Sequence, residues 1–490
     1  MNYTSTRANK ISVSAADAVL KGLVDDGGLF VPESLPRLDK ADFARLSGLQ
    51  YALRAAEVFR LFLSGYEGVN FDTLGKNAYD NFDVSDVAEI KRIGAGAYFL
   101  ELWHGPTAAF KDMALQALPL LLTAAADKLY PGRKTVILTA TSGDTGKAAL
   151  EGFKDVAGTE VIVFYPEDGV SPTQKLQMQS QEGDNLYVVG VKGNFDDCQT
   201  TVKTLLNDKH FEAELAEHNL FFSSANSINV GRLIPQIAYY VSAYCDLVRD
   251  GEINNGEKVN VCVPTGNFGN ILAAYYARKI GVPFGKLLCA SNRNKVLTDF
   301  IETGVYDKRR DFFVTNSPSM DILISSNLER LIYHLYGNDD KMTYALMNEL
   351  NDSGRYRVSE DVRGKLQSLI YAGSRNDEET KEHIKHVWEK HHYLIDTHTA
   401  VAFGVYKQYK QETGDLTKTI IASTASPYKF ADSVYNALTG KDNGTSEDLE
   451  QFTGVPIPEP LAALKGKQPR FTRVAEVADL KAIVAEYLGF

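Results

Sequence analysis

The chain changes its pattern of hydrophobic and polar positions near residue 98. Before that point apolar residues recur at helical spacing, interrupted by a tight turn at Asp26-Gly27-Gly28, so the first 85 or so residues predict a helical region. Beyond it, short β-branched runs alternate with amphipathic helical runs, which predicts βαβ units and parallel sheets. The polar stretch from about 304 to 395 keeps its apolar positions at helical spacing and predicts a helical insertion.

The alternating region predicts two parallel-sheet domains behind an N-terminal domain. The predicted strands are Thr135–Thr139, Glu160–Tyr165, Leu186–Val191, Val259–Val263, Lys286–Ala290 and Thr417–Ala422. The predicted helices are Ala114–Lys128, Thr145–Lys154, Pro172–Glu182, Val230–Val248, Asn270–Lys279, Thr399–Gln411 and Val474–Leu488. We expect an N-terminal domain over 1–85, a smaller α/β domain over 86–230 and a larger α/β domain over 231–490.

Composition and charge narrow the class of protein. The chain has 490 residues, 44% of them hydrophobic and 23% charged, as in ordinary soluble globular proteins of about three domains. A net charge of -11 argues against binding to nucleic acid or an anionic membrane, although a local pocket can still be positive. The longest apolar stretch, Ala117–Ala126, is too short to span a bilayer, and no signal-peptide pattern opens the chain. We therefore expect a cytoplasmic protein.

Cysteines and histidines give no sign of a metal site. The cysteines lack paired ligand spacing and predict reduced, structural thiols. His383 and His386 share one face of a predicted helix, but charged residues surround them, so we interpret that face as solvated. The cysteines are Cys198, Cys245, Cys262 and Cys289.

The segment Val263–Asn270 (VPTGNFGN) joins a predicted strand to a predicted helix. Glycines allow the backbone to approach an anion closely, and the following helix directs free N–H groups and its positive dipole end toward that anion. Phosphate binding is one interpretation. A structural turn is the other, since Gly and Asn are common turn residues.

A second strand-to-helix junction, Thr139–Lys147 (TATSGDTGK), is crowded with hydroxyl groups. A nucleotide P-loop needs Gly where Thr141 stands and Ser or Thr where Ala148 stands, so ATP or GTP binding is excluded. The hydroxyls of Ser142 and Thr145 suit a carboxylate or phosphate oxyanion. A capped structural turn remains the alternative.

The third junction, His104–Asp112 (HGPTAAFKD), places Lys111 at the start of an apolar helix. A cation at a helix N-terminus opposes the helix dipole, which disfavours the charged form unless water solvates it. The neutral amine that remains is the form that attacks aldehydes. The alternative is a lysine whose ammonium group simply reaches solvent.

Seven segments in this order resemble one family. The chain is similar to the fold-type II pyridoxal-phosphate enzymes, and within them to the longer bacterial and fungal class of threonine synthases, from about residue 3 to about residue 440. The segments are Ser5–Arg7, Asp26–Pro32, His104–Asp112, Ser142–Gly146, Asn226–Asn229, Gly266–Asn270 and Ser423–Phe430.

The resemblance implies a cofactor, a reaction and a fold. The cofactor is pyridoxal 5′-phosphate, the substrate is O-phospho-L-homoserine, and the fold is that of the tryptophan synthase β-subunit with a movable smaller domain. Lys111 is implied as the catalytic Schiff-base lysine, and Thr424 as the residue facing the pyridine nitrogen. Cofactor phosphate is assigned to Gly266, Asn267, Phe268, Gly269 and Asn270, and the substrate carboxylate or phosphate to Ser142, Gly143, Asp144, Thr145 and Gly146.

Departures from the family pattern leave alternatives. Ser426-Pro427-Tyr428 stands where the family often has His-Pro-Ala, and Lys147 stands where small residues are usual. We interpret Lys147 as a solvated helix residue rather than an anion contact. The alternative functions are a serine/threonine dehydratase or another β-eliminating enzyme of the same fold type, and a catalytically inactive binding protein. The sequence does not predict an oligomeric state.

Overall fold

The N-terminal region of the computed structural model, which describes residues 1–490, combines a small sheet with four helices. Its elements are β1 (Asn2–Ser5), β2 (Val13–Ser14), α1 (Ala15–Lys21), β3 (Phe30–Pro32), α2 (Lys40–Ser47), α3 (Tyr51–Phe62) and α4 (Phe71–Tyr79). β1 pairs antiparallel with both β2 and β3. The predicted helices are present, but the three short strands were not predicted, because strands of two to four residues are too short to show alternation.

The next part of the chain carries the first alternating elements. They are β4 (Ile90–Arg92), β5 (Ala97–Glu101), α5 (Asp112–Leu115), α6 (Leu118–Leu129), β6 (Lys134–Ala140), α7 (Asp144–Phe153), β7 (Thr159–Pro166), α8 (Pro172–Gln179), β8 (Leu186–Lys192), α9 (Phe195–Asn207), α10 (Lys209–Glu217), β9 (Leu220–Ser224) and α11 (Val230–Arg249). The predicted strands in this part are all present, and β4, β5 and β9 are additions that the sequence pattern did not predict.

The remaining elements complete both α/β domains. They are β10 (Val259–Pro264), α12 (Gly269–Ile280), β11 (Phe284–Ser291), α13 (Val296–Thr303), β12 (Val305–Asp307), α14 (Leu328–Leu335), α15 (Asp340–Ser353), β13 (Arg355–Arg357), α16 (Glu360–Leu369), β14 (Ile370–Ser374), α17 (Asp377–His391), α18 (Thr397–Thr413), β15 (Thr419–Ser423), α19 (Ala431–Thr439), α20 (Ser446–Thr453), α21 (Glu459–Ala462), β16 (Val474–Glu476) and α22 (Leu480–Leu488). Short 3₁₀ helices lie at Pro318–Met320, Pro427–Phe430 and Val477–Asp479.

Two large sheets organise these elements. One has six strands in the order β14-β11-β10-β15-β5-β4, parallel except for β4. The other has five parallel strands in the order β16-β8-β7-β6-β9. Their central strands are buried along nearly their whole length, as expected when helices cover both faces of a parallel sheet. The predicted α/β class with two parallel sheets is confirmed.

The domain boundaries need correction because sheet membership crosses them. β4 and β5, predicted in the smaller domain, pair within the six-stranded sheet, so the loop before Lys111 leaves a strand of the larger domain. β16, predicted as part of a helix, joins the edge of the five-stranded sheet. The insertion at 304–395 also contains the β12–β13 ribbon and the edge strand β14. The sheet that a strand joins depends on partner strands that are distant in sequence. Local periodicity carries no information about those partners.

Helix α11 connects the N-terminal region with two of the three junctions. Nearly all of its residues are buried, as in a helix surrounded by protein on every side. It contacts α3 of the N-terminal region, α5 next to Lys111, and α12 after the Gly266–Asn270 loop. None of the helices combines the length and the hydropathy that crossing a bilayer requires. All the cysteines are buried and unpaired.

Candidate active site

One cavity between the two large sheets receives all three junctions. Lys111 enters it from the N-cap position of α5, Ser142 from the loop before α7, and Thr145 from the first turn of α7. The loop from Gly266 to Asn270 forms another wall, and Thr424, just after β15, lines it as well. Parallel strands of each sheet end at this cavity, which is the expected place for a ligand in α/β proteins.

The loop Gly266–Asn270 presents a row of unused backbone donors. The N–H groups of residues 266–271 donate no hydrogen bond to any protein acceptor. Phe268 adopts the left-handed conformation, with φ of 61°, and this bends the loop into the start of α12. A Cβ atom at Gly266 would lie 2.7 Å from the backbone oxygen of Ser319, so only glycine fits there. The arrangement is a nest for an anion.

Two buried side-chain atoms of the same loop also lack partners. They are the Oδ1 atom of Asn267 and the Nδ2 atom of Asn270, whose own Oδ1 accepts from Tyr240. Buried polar atoms are normally hydrogen-bonded, so the unpaired Nδ2 donor of Asn270 points to a bound acceptor; the Oδ1 of Asn267 is itself an acceptor and does not bear on an anion. Unpaired amide donors at the start of a helix are what a phosphate group requires. The loop therefore fits the phosphate of the cofactor that the sequence implies.

Lys111 is a buried amine next to a carboxylate. Its Nζ lies 3.3 Å from Oδ2 of Asp144 and 4.6 Å from the centre of the Phe110 ring. Burial lowers the pKa of Lys111, and the positive charges of Arg232 and Lys429 lower it further, against the opposing effect of Asp144. The alternative of a solvated lysine is therefore wrong, and the environment favours a neutral, reactive amine.

A second lysine, which the sequence analysis missed, shares that carboxylate. The Nζ of Lys429 lies 2.8 Å from Oδ1 of Asp144 and donates to the carbonyl oxygen of Thr107 over 3.0 Å. Burial alone would raise the pKa of Asp144, but the two ammonium groups outweigh burial and hold that pKa below its ordinary range. Lys429 lies within the Ser423–Phe430 segment, but the sequence analysis assigned it no role, because its partner Asp144 is distant in the chain.

The Ser142–Gly146 loop divides into cavity-lining residues and residues that shape the turn. Ser142 and Thr145 line the cavity, and their hydroxyls form no hydrogen bond within the protein, whereas Asp144 is committed to the two lysines. Gly143 and Gly146 do not line the cavity. Their N–H groups donate to the Thr141 hydroxyl and close the turn. The hydroxyls are thus free side-chain donors of this loop, and the backbone N–H groups of residues 142, 144 and 145 are also free.

Arg232, at the start of α11, is a further cavity residue. It is buried, its Nη1 donates to the carbonyl oxygen of Ala225 over 3.0 Å, and its Nε has no partner. Burial lowers the pKa of Arg232 to about 10. No carboxylate pairs with it, so the cavity contains a buried cation with an unused donor.

The Thr424 segment is tied to the Lys111 loop. The N–H of Phe110 donates to the carbonyl oxygen of Thr424 over 2.8 Å, and Ala109 forms a β-bridge with Ala425. The Thr424 hydroxyl lines the cavity and forms no hydrogen bond within the protein. The sequence prediction that Lys111 and Thr424 serve one site is therefore compatible with the geometry.

Lys147 lies outside this cavity and is not solvated. Its ammonium group lies 2.7 Å from Oε2 of Glu151, contacts Gln181, and is largely buried. The interpretation as a solvated helix residue was wrong because α7 packs this face against α8. Its charge is neutralised locally, so it adds nothing to the cavity.

Family comparisons agree with the class of enzyme that the fold and the cavity define. A family model described as "Pyridoxal-phosphate dependent enzyme" matches residues 85–424. Models described as "Threonine synthase N terminus" and "Threonine synthase, C-terminal" match residues 2–79 and 399–485. The chain belongs to the threonine synthase family of pyridoxal-phosphate-dependent enzymes, as its motifs predicted.

Individual relatives cover nearly the whole chain. Threonine synthase of Pseudomonas aeruginosa is 35% identical over 489 residues, covering 99% of this chain and 98% of that protein. Threonine synthase-like 1 of Homo sapiens is 39% identical over 485 residues, covering 96% of this chain, but the chain spans only 64% of that protein's length. The crystal structure of pyridoxal-phosphate-bound threonine synthase from Brucella melitensis superposes with a TM-score of 0.88 at 35% identity, covering 100% of this chain and 98% of that one.

Proposed function

We propose that this chain holds pyridoxal 5′-phosphate through Lys111 and converts O-phospho-L-homoserine and water into L-threonine and phosphate. The observation that carries the proposal is the composition of one cavity. A buried amine, a row of unused backbone amides and a separate buried cation all line it. The reaction needs these three parts, because the cofactor and the substrate each bring a phosphate.

The cofactor phosphate is assigned to the N–H groups of residues 266–271, with the Nδ2 of Asn270 as an additional donor. A permanent phosphate suits this nest, because every donor is backbone or fully buried and none depends on a mobile side chain. When bound, pyridoxal phosphate supplies a conjugated ring that stores the electron pair left on carbon after a proton is removed. Thr424, a neutral hydroxyl, is assigned to the ring nitrogen.

Lys111 is assigned two tasks, holding the cofactor and accepting the Cα proton of the substrate. Its lowered pKa favours the neutral amine that both tasks require. Asp144, kept ionised by Lys429, holds the Nζ of Lys111 in place through the 3.3 Å contact. The pair therefore orients the amine without being consumed in the reaction.

The leaving phosphate of the substrate is assigned to Arg232 together with the hydroxyls of Ser142 and Thr145. The Nε of Arg232 and the two hydroxyls are unused within the protein, and all three residues line the same cavity as Lys111. A cation with no carboxylate partner attracts a dianion strongly, since charge-assisted hydrogen bonds are stronger than neutral ones. Phosphate must also leave after each turnover, and a site that needs only three side chains allows its release.

The same cavity weighs against the other candidate functions. A serine or threonine dehydratase handles an amino acid without a phosphate, and Arg232 would then remain a buried cation without a partner. A catalytically inactive binding protein would have no need for a lysine whose burial favours the neutral amine. Both alternatives make different predictions in one assay.

That assay supplies purified protein with O-phospho-L-homoserine, L-serine or L-threonine in separate reactions. We expect phosphate and threonine in equal amounts from phosphohomoserine alone, with visible absorbance of bound cofactor changing on substrate addition. Formation of a 2-oxo acid from serine or threonine as the main product would identify a dehydratase. Cofactor binding without any product would identify an inactive relative.

A further inference from the structure

A short segment of the insertion forms hydrogen bonds to the backbone carbonyl groups of the Gly266–Asn270 loop. We call this segment, Ser325–Asn327, the strap. The Ser325 hydroxyl donates to the carbonyl oxygen of Gly266 over 2.7 Å, and the Asn327 side-chain amide donates to the carbonyl oxygen of Asn267 over 2.9 Å. The backbone N–H of Asn327 donates to the same oxygen over 3.2 Å. Two consecutive carbonyls of the loop are thus fixed by one segment.

The hydrogen bonds to these two carbonyls also determine the orientation of the backbone N–H groups in the same peptide units. In a planar trans peptide the C=O and N–H bonds point in opposite directions. The Gly266 carbonyl shares its peptide with the N–H of Asn267, and the Asn267 carbonyl shares its peptide with the N–H of Phe268. Because the strap binds both carbonyls, both N–H groups point away from the strap, and they remain free of protein acceptors.

Asn327 is itself held by a buried arginine. Its Oδ1 accepts from Nη1 of Arg330, whose side chain is fully buried. The other guanidinium nitrogens of Arg330 donate to the carbonyl oxygens of Phe30, over 2.9 Å, and Ile228, over 2.6 Å. Asn327 also donates to the hydroxyl of Ser227 over 3.2 Å. One guanidinium therefore joins β3, the segment before α11 and the strap.

The N-terminal region forms hydrogen bonds to Glu329 in the first turn of α14, directly after the strap. Arg7 donates to both carboxylate oxygens of Glu329, over 2.8 and 2.7 Å, and the Thr6 hydroxyl donates to Oε1 over 2.5 Å. A bidentate pair of this kind fixes orientation as well as position. The Ser5–Arg7 motif, which has no contact with the cavity, thus reaches the phosphate loop through Glu329, Arg330 and Asn327.

We infer that Asn327 is a positioning residue for the cofactor phosphate, and that Thr6 and Arg7 of the N-terminal region keep it in place. The inference rests on the proposed assignment of the Gly266–Asn270 loop to that phosphate. It gives the N-terminal region a role in cofactor retention, exerted through hydrogen bonds rather than through contact with the cofactor.

The test compares two ligands on the cofactor-free protein, pyridoxal phosphate and pyridoxal, which lacks the phosphate. Asn327→Ala removes the side-chain donor, so the Kd for pyridoxal phosphate is expected to rise about tenfold or more, while the Kd for pyridoxal stays within about twofold. Arg7→Met is expected to raise the ratio of the Kd for pyridoxal phosphate to the Kd for pyridoxal as well, but by a smaller factor. Asn348→Ala, at a half-exposed asparagine of α15 in the same insertion, is the matched control and is expected to leave both constants unchanged.

Each contrary result has a separate meaning. Equal loss of both ligands in Asn327→Ala would make Asn327 merely structural and overturn the inference, as would unchanged affinity for both. If Asn327→Ala does not fold, an unchanged ratio in Arg7→Met overturns the inference by itself. Wild-type protein that binds pyridoxal as tightly as pyridoxal phosphate would reject the loop assignment of the proposed function, and the inference with it.

Discussion

Lys429 and Lys111 hold opposite oxygens of one buried carboxylate. The Nζ of Lys429 lies 2.8 Å from Oδ1 of Asp144, and the Nζ of Lys111 lies 3.3 Å from Oδ2. Gln174 donates to Oδ1 as well, over 2.8 Å. Lys429 therefore neutralises Asp144 permanently, which leaves Lys111 free to lose its proton without isolating a buried negative charge.

Lys429→Met is expected to raise the pKa of Lys111. The substitution removes a positive charge that lowers this pKa and leaves Asp144 to Lys111 alone. The rate at which cofactor-free protein captures pyridoxal phosphate, measured against pH, reports the fraction of neutral amine. Its midpoint is expected to move to higher pH in Lys429→Met and to stay in place in Lys429→Arg. An unmoved midpoint in Lys429→Met would show that the two lysines are not coupled.

Arg232→Met is expected to weaken substrate binding more than cofactor binding. Loss of a charge-assisted hydrogen bond to the substrate phosphate is worth about 1.5–3 kcal/mol, which is at least about a tenfold rise in KM for phosphohomoserine. Cofactor affinity is expected to change less than about twofold. Steady-state kinetics and a cofactor titration separate the two effects, and Arg232→Lys serves as the charge-preserving control. An equal loss of affinity for substrate and for cofactor would indicate that Arg232 contacts the cofactor, and would contradict its assignment to the substrate phosphate.

Gly266→Ala is expected to reduce affinity for pyridoxal phosphate. The added Cβ would lie 2.7 Å from the backbone oxygen of Ser319, so the loop must shift and its amides lose their alignment. Gly364→Ala, in α16 with no atom near its added Cβ, is the matched control. That change is expected to stabilise the protein by about 0.4–1 kcal/mol, because alanine reduces the entropy of the unfolded chain. Normal cofactor affinity in Gly266→Ala would refute the tight fit at this loop.

His104 is expected to make stability depend on pH. Burial alone would lower its pKa, but hydrogen bonds of 2.7 Å to Glu101 and Asp83 outweigh burial and raise the pKa above its ordinary value of 6.5. A raised pKa in the folded state gives stability that is present below pH 6.5 and is lost as pH rises through the folded-state pKa.

Urea unfolding of the wild type and His104→Gln at about pH 6 and about pH 9 tests this dependence. The difference in unfolding free energy between the two proteins is expected to be larger at the lower pH. An equal difference at both values would mean that His104 is not charged in the folded protein.

Local sequence predicted the junctions better than it predicted their partners. The Gly266–Asn270 loop and the position of Lys111 follow from nearby residues, since strand, turn and helix signals are adjacent in the chain. Lys429 is 285 residues from Asp144, and its role depends on contact between segments from different sheets. Arg232 and Asn327 are similar cases, because an arginine or asparagine acquires its function from what buries it, and burial is a property of the whole fold.

The central claim is that Lys111 carries the cofactor, and peptide mapping tests it most directly. The purified protein is reduced with borohydride to trap the cofactor on its lysine, digested, and analysed by mass spectrometry. We predict that the added mass lies on the peptide that contains Lys111, and that Lys111→Ala carries none. Cofactor mass on Lys429 or another lysine, or on no peptide of a protein saturated with pyridoxal phosphate, would contradict the account.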